Sequence, residues 1–150
     1  MGTGANWLDQ EQQQIWRNWL SGVARINQHL DADLRTRGLD LAEYEILVAL
    51  SEAEGRRLRM SELAELVHQS RSRLTHAISR LERRGIVSRS SASDDRRGVY
   101  AHLTDEGFGV LEAAAPDHVN AVREVFVDVA DPRDFEALGR VMKAVLDSPF

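Results

Sequence analysis

The chain contains no cysteine. That one absence excludes disulfides, thiolate metal sites and thiol-based redox sensing. Also missing is any apolar run near the roughly 18 residues that a membrane-spanning helix requires. Met1 to Asn6 carries neither the basic nor the apolar region of a secretory signal. A cytoplasmic location away from the membrane is therefore the expectation. The histidines, His29, His68, His76, His102 and His118, form no H-x-x-x-H or H-E-x-x-H unit. G-x-S-x-G, the P-loop and a nucleophile–base pair are absent as well. Neither a cofactor nor an enzymatic activity is expected. Internal repeats are absent, and the only compositional bias is a short alanine run at 113–115.

What is present fits one soluble globular domain. The 150 residues are 43% hydrophobic and 29% charged, a balance able to bury a core. A net charge of −5 argues at first against a polyanionic partner. The distribution reverses that reading. From Arg56 to Arg97 there are eleven arginines against five acids, whereas the remainder holds eight basic residues against nineteen acidic ones. A basic island within an acidic chain is the footprint of a face that meets a polyanion. A merely solvated arginine-rich surface is the plainer alternative.

Hydrophobic periodicity organises the chain into helices with one short sheet. Ile15, Trp19, Val23, Ile26, Leu30 and Leu34 recur at three- and four-residue spacing, predicting a long helix from about Leu8 to Arg37 that Gly38 ends. Asp40 with Glu43 reads as the capping box of a second helix, running to about Ala53. A short extended piece, Arg57 to Arg59, precedes a third helix from Ser61. Ser70 then caps a fourth, Arg71 to Arg84, which Gly85 stops. Only His68, Gln69 and Ser70 separate these two, the turn length of a helix-turn-helix. Ile86 to Ser91 and Val99 to Leu103 read as strands joined by the polar stretch 92–98. Thr104 caps a fifth helix with an expected kink at Pro116, and Pro132 begins a last one.

The fourth helix carries the informative face. Leu74, Ile78 and Leu81 point inward, and the other side bears Ser72, Arg73, Thr75, His76, Ser79, Arg80 and Arg83. That face has no acid and no large aliphatic residue. It mixes groups that read base edges with groups that hold phosphates, which a helix lying in the major groove needs. The hairpin after it has Arg96 and Arg97 at its tip, suited to the electronegative minor groove, with Asp95 able to fix an arginine by a bidentate hydrogen bond.

The order of elements, with Asp95-Arg96-Arg97 followed by Leu103-Thr104 and Gly107, resembles the MarR family of regulators. Met60-Ser61-Glu62-Leu63-Ala64 and the segment Leu81 to Val87 support the resemblance, which covers nearly the whole chain. It implies a mainly α fold with a small β wing: a single domain over 1–150, with a winged helix-turn-helix lobe at 40–104 and dimerisation helices at 7–37 and 105–147. It also implies a homodimer bound to double-stranded DNA, probing a pseudo-palindromic operator as a repressor. Ser70, Arg71, Ser72, Arg73, Thr75, His76 and Arg80 would face the operator, Arg97 would enter the minor groove, and Asp95 would orient it beside Arg96. The stripes at 15–34 and 119–145 agree, since one small chain offers them no sufficient partner. Such regulators resemble one another in taking a small, often phenolic, effector between the dimer helices and the reading lobe. Trp16, Trp19, His29 and Tyr44 are the candidate lining here, although aromatics at helical spacing more commonly form core or dimer contacts. The alternatives are a protein-interaction module that has lost DNA binding and a metal-responsive regulator built from scattered histidines and acids.

Overall fold

Six helices and three strands follow from local signals that the side chains supply. The computed structural model describes residues 4–92 and 98–149. Helix α1 spans Gln10–Arg35, where Asp9 accepts the Gln12 amide and the Gln12 side chain accepts the Asp9 amide, a reciprocal cap. It closes in a Schellman turn: Leu39 N–H donates to Leu34 O, Gly38 N–H donates to Arg35 O, and Gly38 sits at φ +75°. Helix α2 (Leu41–Glu52) starts from Asp40 and Glu43, as the sequence implied.

The same turn recurs after helix α3 (Met60–Leu66), with a histidine where glycine is usual. Gln69 N–H donates to Ala64 O and His68 N–H to Glu65 O, holding His68 at φ 53°. A left-handed β-carbon costs about 1 kcal/mol, so packing around the turn must hold it there. Helix α4 (Arg71–Arg83) follows, with Ser70 Oγ accepting the Arg73 amide.

Strands β1 (Arg57–Arg59), β2 (Val87–Ser91) and β3 (Val99–Leu103) form an antiparallel sheet in the order β1-β3-β2. Arg57 pairs with His102, and Val87 with Leu103. This is the small β wing on a mainly α chain. Two boundaries differ from expectation. Helix α3 begins at Met60 rather than Ser61, because β1 hands over directly and Glu62 receives the Arg59 amide. Helix α5 (Asp105–Val122) runs unbroken through Pro116. The missing amide removes one hydrogen bond, and the packing of α5 along α1 keeps the helix continuous; its irregularity falls later, in a π turn at Arg123–Val127. Helix α6 spans Pro132–Leu146.

The core joins the C-terminal half of α1 to the reading lobe: Leu34, Leu39, Ile46, Leu47, Leu50, Leu63, Leu74, Ile78, Leu81 and Val87 are fully buried. Of the α1 stripe only Leu30 and Leu34 are buried; Ile15 stays 61% exposed and Trp16 53%. No residue of α6 is buried.

Gly107 marks the tightest junction. Thr104 caps α5 by accepting the Gly107 amide, and its hydroxyl reaches Gly85 O and Ile86 O. A β-carbon at Gly107 would stand 2.1 Å from Ile86 O and 2.8 Å from Leu103 Cδ1. Gly107→Ala is expected to lose about 3 kcal/mol, the upper end of ordinary overpacking. An unchanged urea midpoint at fixed protein concentration would refute that packing.

Candidate nucleic-acid interface

Helix α4 buries Leu74, Ala77, Ile78 and Leu81 and exposes Arg71, Ser72, Arg73, Thr75 and His76. Among the described residues, Arg71 and Arg73 form no ion pair, so their guanidinium groups stay available. Ser70 lies at the same end, its hydroxyl committed to the cap. Thr75 turns its hydroxyl back to Arg71 O at 2.8 Å. The open face is thus the N-terminal half of the helix.

Arg80 differs from the expectation. Its Nε donates to Glu43 Oε1 at 3.1 Å, and its guanidinium lies 3.6 Å from Asp40 Oδ2. A helical wheel puts Arg80 in line with Arg73, yet the long side chain folds toward the start of α2. The cause is Glu43, only 6% exposed, which needs a cation. Arg84 completes the knot, donating to Gly38 O at 2.7 Å and lying 3.9 Å from Glu43 Oε2.

A second strut joins helix and wing. Arg89 on β2 donates to Glu82 at 2.8 Å and also reaches Ser79 Oγ. The Arg89 hydrogen bond holds the Glu82 carboxyl below its ordinary pKa. Other members of the basic island are equally engaged: Arg56 lies 3.8 Å over Phe108, and Arg57 lies 4.8 Å from the Tyr100 ring centre. The hairpin stem closes with Ala92 N–H donating to Gly98 O. Asp95, Arg96 and Arg97 lie outside the described residues.

A cavity of about 610 Å³ lies where α1, α2, β1, α3 and α5 meet. Of the four expected lining residues, only Tyr44 borders it. Trp16 and Trp19 stand exposed on the first half of α1, and His29 pairs with Glu124 at 3.4 Å beside another depression. The structure therefore does not bring the four together. Leu30, Val48, Leu66, His68 and His118 also line it, and they share no common spacing by which the sequence could group them. The Tyr44 and His118 rings meet with centres 4.1 Å apart, tilted by 38°. Among the described residues no group of three or more histidines and acids is placed to hold a metal, and no helix is long and apolar enough to cross a membrane.

A short-turned helix pair leading into a three-stranded wing, with the second helix presenting an open polar face, defines a winged helix-turn-helix protein. Residues 39–99 match the model of the MarR family. AbsC, a MarR family transcriptional regulator from Streptomyces coelicolor, is 40% identical, with a TM-score of 0.89 over 95% of this chain and 97% of that one. Sco3205 of the same organism, a MarR family regulator solved in complex with DNA, is 41% identical, with a TM-score of 0.91 over 97% and 92% of the two chains. The transcriptional repressor YetL of Bacillus subtilis is 30% identical over 107 residues, which span 71% of this chain and 64% of that repressor. The chain belongs to the MarR family of transcriptional regulators.

Proposed function

We propose that the protein works as a homodimeric repressor: α4 enters the major groove, the arginine-tipped wing enters the minor groove, and a small molecule in the α1–α2–α5 cavity releases the operator. The observation that carries this reading is the open N-terminal half of α4, where Arg71 and Arg73 form no ion pair among the described residues and stand beside Ser72, Thr75 and His76. Arg97, with Asp95 and Arg96 around it, enters by family resemblance. Support for the DNA partner comes from Sco3205, a relative solved with DNA, and the repressor sign follows the YetL name. Two-fold symmetry then requires a pseudo-palindromic site. In this reading residues 40–104 form the DNA lobe, and residues 7–37 and 105–147 pair two copies.

Fluorescence anisotropy with a labelled duplex from the promoter beside the protein's own gene tests it. Affinity should fall by about 0.9 log unit per phosphate contact for each log unit of salt. Arg73→Ala and Arg97→Ala should each weaken binding; where the lost contact is to phosphate, the salt slope drops by about 1. Binding that is indifferent to salt and to both substitutions would refute the reading.

A further inference from the structure

The proposed release site has a charge character of its own. Tyr44 and His118, their rings tilted by 38°, form an aromatic wall, Leu30, Val48 and Leu66 supply apolar surface, and two carboxylates, Glu45 and Glu52, border the space. No lysine or arginine lines it among the described residues. The C-terminal end of α2 reaches it at Glu52 and Ala53, without a basic residue in its last turn, so the negative end of that helix adds to the carboxylates. Burial lowers the His118 pKa against the pull of Asp33, which favours the neutral ring, and His118 Nδ1 is buried without a hydrogen-bond partner. In the Nε2-protonated tautomer that nitrogen accepts. Arg35 and Arg73 border a neighbouring depression that also touches Glu45 and His68. Glu52 and the α2 end remain outside that second depression.

We propose that this cavity takes a small organic cation with a flat apolar body and disfavours organic anions. The flat body lies along the Tyr44–His118 wall and its N–H groups face Glu45, Glu52 and the α2 carbonyls. An anion of the same shape meets two carboxylates and a helix C-terminus. Burial pushes the Glu45 carboxyl pKa up and neighbouring His68 pulls it back down. Besides His118, that histidine is the one lining side chain among the described residues able to carry positive charge. The proposal rests on the reading of this cavity as a ligand site, and it narrows the ligand class that the reading leaves open.

The test uses the isosteric trio benzamidinium, benzamide and benzoate on the full-length protein without DNA. The readout is NMR amide and histidine-ring shifts at matched ionic strength. Benzamidinium should bind about tenfold more tightly than benzoate, with benzamide between them, and the shifts should centre on Tyr44 and His118. The double variant Glu45→Gln, Glu52→Gln should remove most of the benzamidinium advantage over benzamide, leaving only the part due to the α2 end. Val48→Phe, which fills the space, should abolish binding of all three. Benzoate binding as tightly as benzamidinium would overturn the proposal. So would a cation preference as large in the double variant as in the parent, or shifts that lie outside the cavity. Because the readout needs no DNA, a protein that binds no operator would overturn the proposed function and leave this measurement intact.

Discussion

Glutamate at both Val141 and Val145 is expected to turn the protein into a monomer and to cut affinity for a two-half-site duplex by about two to four orders of magnitude. The argument starts from α6 itself. Asp131 caps it, Pro132 pre-sets its first turn, and its helical pattern is complete, yet no residue of it is buried. Val141 is 55% exposed, Val145 60% and Leu146 81%. At the other end of the chain Leu8, Ile15, Trp16 and Leu20 are equally open. In the proposed dimer a second copy supplies the matching faces for the apolar patches that the chain leaves uncovered on these two helices. Two buried carboxylates in that seam, without cations opposite, oppose association strongly. The consequence for DNA is a loss of effective concentration: each monomer keeps its own reading helix, so affinity for a single half-site should hardly change. Light scattering gives the mass, and anisotropy on one- and two-half-site duplexes gives the affinities. A double variant that is still dimeric, or a monomer holding the two-half-site duplex within tenfold of the parent, would refute the seam.

The same exposed stripe explains what the sequence could and could not reveal. Periodicity made α1 legible as a long amphipathic helix, and Asp40 with Glu43, Ser70, Thr104, Gly38 and Gly85 marked helix ends that the structure reproduces. These are local signals, written within four or five residues. Whether Ile15 and Trp16 are covered by their own chain or by another is not a local property, and spacing is silent on it. The cavity is harder still. Its walls come from five elements, and His118 meets Tyr44 only because α5 packs beside α2. Trp16, Trp19 and His29 share helix α1 with one another but not a space with Tyr44. The engagement of Arg80 with Glu43 is hidden from the sequence for a different reason. A wheel fixes the direction of Cβ, whereas the guanidinium at the end of a long side chain goes to the nearest buried carboxylate.

Removing that carboxylate is the second large effect expected: Glu43→Ala should cost about 3 kcal/mol, from the lost cap, the void and the lost charge-assisted bond, since the arginines left behind are 46% and 41% exposed and return to water. Glu43 is 6% exposed, accepts the Asp40 amide at 3.1 Å and the Arg80 Nε at 3.1 Å, and lies 3.9 Å from Arg84. Alanine therefore loses half of the α2 capping box, opens a void and frees two arginines together. Against a total stability of about 5–15 kcal/mol this is a large fraction. Glu43→Gln should fall between the parent and alanine, since an amide oxygen still accepts the Asp40 N–H but no longer offsets two cations. Urea midpoints at one protein concentration measure the order, and the double variant Glu43→Ala, Arg80→Ala should lose less than the sum of its parts. The glutamine variant also separates two roles for Arg80. If Arg80 positions α4 against α2, Glu43→Gln and Arg80→Ala should weaken operator binding by similar factors and leave the salt slope unchanged. If Arg80 instead holds a phosphate, Arg80→Ala alone should lower the slope, by about 1, and Glu43→Gln should leave it in place. The 3.1 Å bond to Glu43 favours the first outcome. A slope that drops in Arg80→Ala would return that arginine to the DNA face.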